Sequence, residues 1–100
     1  MTNSLDINTF SQISLQIIRE QALVIGPLAW DEARKVHGLH IIDIGKGVID
    51  IEGGEPRLVI NNLVAQYERI FGRASREVCK DAVQNIIAKM PQEEVPESLR

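Results

Sequence analysis

Cysteine, histidine, aromatic side chains and surplus positive charge are all scarce in this chain of 100 residues. The single cysteine, Cys79, excludes a disulfide within one chain and any cysteine-based zinc site built from one copy. Eleven Lys and Arg stand against 14 Asp and Glu, a net charge of −3. Affinity for phosphate backbones needs clustered excess positive charge, so nucleic acid is an unlikely main partner. Four residues are aromatic (Phe10, Trp30, Tyr67, Phe71) against 14 isoleucines. An aliphatic composition of this kind builds a packing core, whereas ligand pockets more often recruit aromatic walls. Long apolar runs are missing too. The longest, Ala22 to Trp30, is broken by Gly26-Pro27 and falls well short of the ~20 residues of a membrane span. Met1 to Asp6 has no basic stretch leading into an apolar one, so no signal peptide is expected. These absences imply a cytoplasmic protein with no cofactor and no membrane partner.

What is present reads as helix, hairpin, helix, helix. Thr9 with Gln12 three residues on has capping-box spacing and marks a helix start. Phe10, Ile13, Ile17, Val24 and Leu28 form one apolar stripe, and Ile18, Ala22, Ile25, Ala29, Ala33 and Val36 a second. The combined face is wider than a surface helix requires and needs covering on more than one side. Pro27 lacks an amide proton and crowds the preceding turn, so the helix should kink or restart there. Arg34, Lys35 and His37 then fill a last turn that Gly38 stops.

Residues 39–52 change period. Leu39-His40-Ile41-Ile42-Asp43-Ile44 and Val48-Ile49-Asp50-Ile51-Glu52 flank Gly45-Lys46-Gly47, which predicts a β-hairpin. Leu39 and Ile41 are expected on one face, Ile42 and Ile44 on the other, and Gly53-Gly54 at its end. Pro56 opens a third segment carrying Ile60, Leu63, Val64, Tyr67, Ile70 and Phe71 at helical spacing, closed by Gly72. Ser75 opens a last helix with Val78, Cys79, Ala82, Val83, Ile86, Ile87 and Met90 on one stripe, stopped by Pro91. Residues 1–90 are thus expected to form one α+β, mainly helical domain: a kinked N-terminal helix, a hairpin, then two antiparallel helices. Residues 91–100, acidic and twice interrupted by proline, are expected to be a flexible tail.

Chemistry is harder to find. His37 and His40 are three apart but straddle Gly38, and no third metal ligand is evident. Cys79 falls on an apolar stripe, where a cysteine acts as a small hydrophobe rather than a nucleophile. Gly45-Lys46-Gly47 joins strand to strand and no hydroxyl follows the lysine, unlike a phosphate loop. Asp43 and Asp50 are expected to face one another across the hairpin, with nothing to pin an acid–base pair. No catalytic residue is assigned, and an enzyme is not expected.

Charge divides unevenly along the chain. Residues 38–55 carry −3 and residues 56–90 carry +3. Arg69, Arg73, Arg76 and Lys80 fall at helical spacing off the apolar stripe, a basic strip that could meet an acidic partner or nucleic acid, though Glu77 and Asp81 dilute it. A helix-turn-helix centred on Gly72 is excluded, because Glu68 and Asp81 occupy positions that motif keeps small or apolar.

Ile25-Gly26-Pro27-Leu28-Ala29, followed by Leu63-Val64-Ala65-Gln66-Tyr67-Glu68 and Phe71-Gly72-Arg73-Ala74, resembles a short helical domain of bacterial signalling proteins. The resemblance implies a regulatory or interaction module without enzymatic activity, possible contact with another signalling protein, and assigns no functional residue. The first helix is apolar over much of its circumference and the hairpin carries isoleucine on both faces, with unpaired edges. Self-association as a homodimer is therefore expected, with Ile41, Ile42, Ile44, Ile49 and Ile51 as the candidate interface. The alternative is binding of nucleic acid or an acidic partner through Arg69, Arg73, Arg76 and Lys80.

Overall fold

The structure, a computed structural model, describes residues 7–52 and 55–100. The expectations for Met1 to Asp6 and for Gly53-Gly54 lie outside them. Helix α1 spans Ile7–Ile25 and so already runs two residues ahead of Thr9, which is not its N-cap. Phe10, Ile13, Ile17 and Ile18 are buried along it, with Ser14 and Gln21 as buried polar neighbours. Removing each isoleucine side chain from water contributes roughly 1.5–3 kcal/mol. The wide apolar face is met from several sides, because α1 packs on α2 (Leu28–Ala33), β2 (Val48–Ile51), α3 (Pro56–Phe71) and α4 (Ala74–Ala82).

Chain chemistry at Gly26-Pro27 separates α1 from α2. Gly26 adopts φ +75°, a left-handed conformation that suits glycine, while its amide donates to the Ala22 carbonyl at 2.9 Å and closes the helix. α2 stops at Ala33, earlier than the expected stop at Gly38, and residues 34–38 form turns in which the Lys35 and Val36 amides donate three residues back.

β1 (Leu39–Asp43) and β2 pair antiparallel as a two-stranded sheet, with Leu39 opposite Ile51, His40 opposite Asp50 and Ile41 opposite Ile49. The register then slips, and Asp43 rather than Ile42 faces Val48. Such a bulge inserts one unpaired residue and reverses the side-chain alternation beyond it. Ile44 therefore turns toward α1 and α2 instead of sharing a face with Ile42. The hairpin's turn is tight: the Asp43 carboxylate accepts from the Lys46 amide at 3.0 Å, and Gly47 takes φ +69° with the Arg19 guanidinium directly behind it.

α3 begins with Pro56 at its first turn and ends where Gly72 follows Phe71, as its period predicted. Val59, Ile60, Leu63, Val64 and Tyr67 are its buried face. The expected single last helix is two: α4 ends at Ala82, Val83 leaves helical geometry at φ −117° and ψ 12°, and α5 covers Gln84–Ile87. Val83 is fully buried at that break. The architecture is mainly helical α+β, as expected. No helix among the described residues is long and apolar enough to cross a membrane.

Residues 91–100 are not a loose tail. They form two 3-10 turns, Gln92–Glu94 and Glu97–Leu99, with Val95, Pro96 and Leu99 buried against α3 and α4. Asn61 of α3 accepts from both the Ser98 amide (3.0 Å) and the Ser98 hydroxyl (2.7 Å), and Arg57 donates to the Glu93 carbonyl at 2.7 Å. Val95 and Leu99, four residues apart, anchor a segment whose charge suggested solvent.

Candidate functional site

The basic strip is divided among local partners. Arg76 donates twice to the Glu68 carboxylate, at 3.2 and 3.0 Å, and Arg69 donates to the Gln66 side-chain carbonyl at 2.7 Å. Arg73 and Arg76 line a shallow cleft of about 460 Å³ together with Glu68, Ala74 and Glu77. Two guanidinium groups there meet two carboxylates, so the cleft gathers no net positive charge. Arg69 and the half-buried Lys80 do not line it. The four residues lie on neighbouring elements without converging on one ligand position.

The candidate hairpin interface divides by face. Ile49 and Ile51 are buried in the core and Ile41 packs half-buried against it, so these three are unavailable to a second chain as the fold stands. The reason is the pleat: one face of the hairpin closes over α1, which uses up three of the five isoleucines. Ile42, 65% exposed, and Ile44, 40% exposed, remain at the surface.

The larger free apolar surface lies at the α1–α2 junction. Leu23 is 80% exposed and Val24 64%, and Leu28, the first residue of α2, is also exposed. At the same junction a cleft of about 430 Å³ is lined by Ala22, Gly26, Pro27, Trp30 and Ile44, with Asp31 and Arg34 at its polar rim. Those two rim residues are themselves paired at 3.3 Å. The apolar run from Ala22 to Trp30 was visible as sequence; that its outer side stays uncovered depends on the helix break at Gly26 and on where the hairpin turn lands.

Buried polar groups hold the frame rather than offering chemistry. Gln21 donates to the Ser75 carbonyl at 3.1 Å and to the Cys79 sulfur at 3.3 Å, tying α1 to α4. Burial pushes the Cys79 thiol up to about 11, although the Gln21 hydrogen bond works the other way. A thiol held protonated at neutral pH is a poor nucleophile. The buried Glu32 carboxylate accepts from Gln66 at 2.7 Å and from Lys35 at 3.1 Å, and these hydrogen bonds hold it below the ordinary carboxylate range. His40 pairs with Glu52 at 2.6 Å on the hairpin's outer face. Among the described residues, no group of three or more His, Cys, Asp or Glu side chains is placed to hold a metal ion.

Comparison with known proteins identifies no matching family model, no matching curated relative and no matching solved structure.

Proposed function

We propose that this chain is a non-enzymatic protein–protein interaction or regulatory module that associates with a second copy of itself through the α1–α2 junction. The observation that carries the reading is the exposure of Leu23, Val24 and Leu28 around the α1–α2 junction, where a separate cleft is lined by Trp30 and Ile44. A small soluble domain gains nothing from leaving such side chains in water, and exposed apolar patches mark contact sites. The rim offers one carboxylate, Asp31, and one guanidinium, Arg34. An isologous two-fold contact uses the same patch on both copies, so one uncovered apolar surface would cover the other, while Asp31 and Arg34 stay paired within each chain at the rim. We put the contact at the α1–α2 ends rather than at the hairpin edges because the most exposed large apolar side chain among the described residues, Leu23, lies there. Binding of nucleic acid or an acidic partner through the basic strip is the weaker reading, because Arg76 and Arg69 are engaged by Glu68 and Gln66.

The test is sedimentation velocity on the protein and on a Leu23→Glu variant. Leu23 is too exposed for the substitution to disturb folding. The wild type is expected to sediment as a dimer and the variant as a monomer with an unchanged circular dichroism spectrum. Equal sedimentation of the two would remove this surface from the account.

A further inference from the structure

The C-terminal segment sits on the α3–α4 surface as a bound peptide would. Its backbone hydrogen bonds within residues 91–100 are all local: Glu94 to Pro91, Val95 to Gln92, Leu99 to Pro96 and Arg100 to Glu97. What joins it to the rest is a set of side-chain contacts. Val95, Pro96 and Leu99 are buried, Asn61 reads the Ser98 amide and hydroxyl, and Arg57 reads the Glu93 carbonyl. Arg57 and Asn61 share one side of α3 with the buried Ile60 and Val64, by their three- and four-residue spacings, so that side forms the floor. Charge is complementary in part: Arg57 pairs first with Glu55 at 2.6 Å, and the segment's Glu94 and Glu97 also lie in its field. The connection to α5 runs through Ala88, Lys89 and Pro91, which are exposed, and Met90, which packs half-buried against the core, with Pro91 extended at φ −59° and ψ 140°.

We propose that this groove is a peptide-binding site for an acidic segment with Val-Pro and Leu anchors, filled in cis by residues 92–100 and exchangeable with the same segment of a second copy. Exchange reproduces every contact of the closed form, so it carries little free-energy cost beyond association. The inference goes beyond the α1–α2 contact proposed above and does not rest on it: it concerns a filled groove rather than a bare patch.

The test mixes two full-length chains in a Cys79→Ala background, one carrying Asn61→Cys and the other Ser98→Cys. Neither can close a disulfide within itself. Under mild oxidation of equal amounts, exchange predicts that the product joining position 61 of one chain to position 98 of the other exceeds the sum of the two homodimeric products, which random pairing would only equal. Cross-links in random proportion, or none, overturn it. A labelled peptide of residues 91–100 gives an independent arm: it should bind a Val95→Asp/Leu99→Asp chain at least about tenfold more tightly than the wild type, whose groove is occupied. Equal binding to both folded chains also overturns the proposal. A dimer by sedimentation that gives no 61–98 product would reject exchange while leaving the α1–α2 contact intact.

Discussion

The phenol of Tyr67 in α3 donates a 2.7 Å hydrogen bond to the carbonyl of Ala29 in α2, 38 residues earlier in the chain. Tyr67 is fully buried, so this bond fixes the depth at which α3 meets the short helix after the Gly26-Pro27 break. Tyr67→Phe keeps the ring and loses the bond. The expected cost is about 1 kcal/mol, seen as a melting temperature lower by about 4–8 °C. An unchanged melting temperature would mean that the ring alone positions α3.

Alkaline pH should destabilise the fold. Burial raises the Cys79 thiol from 9.0 to about 11 and also raises the Tyr67 phenol. Both groups are neutral in the folded chain and ionise more readily once unfolded. The thiol's contribution is complete below about 9 and is lost as pH rises through about 11, and the phenol's is lost only above its ordinary value of 10.0. Urea midpoints measured across that range should fall, and in Cys79→Ala the fall should begin at higher pH. A flat profile would contradict the burial of both groups.

Cys79 should react slowly with a thiol reagent in the native protein and rapidly after denaturation, because it is buried and hydrogen-bonded by Gln21. Fast native labelling at neutral pH would place the thiol at the surface.

Within the basic strip, two arginines should behave differently. Arg73→Gln removes an exposed charge and should leave the melting temperature unchanged. Arg76→Gln breaks the bond to Glu68, whose side chain is 25% exposed, and should cost at most about 1 kcal/mol. A larger loss at Arg73 than at Arg76 would reverse the assignment of partners.

Much of the fold was readable because its punctuation is local. Gly26-Pro27, the Gly45–Gly47 turn, Pro56 and Gly72 act through their own backbone preferences, and each sits where an element turns or ends. The features that escaped reading are tertiary. The bulge that turns Ile44 toward Trp30 depends on pairing register, which alternation alone does not encode. Val83 interrupts the most regular apolar period in the chain at a fully buried position, and nothing local signals a break there. The docking of residues 91–100 rests on two apolar anchors among three glutamates, so composition pointed to solvent while spacing pointed to α3. For the candidate surfaces the lesson is similar. The excess apolar character of the first helix was evident, but which of its side chains stay uncovered was decided by the hairpin and by α4.

Self-association is the central claim, and light scattering on a sizing column tests it most directly. One chain has a mass of 11.2 kDa. The account predicts a scattering mass of twice that value, falling toward the single-chain mass on dilution, with a melting temperature that rises with protein concentration. A mass of one chain at every concentration, with a melting temperature independent of concentration, would contradict it.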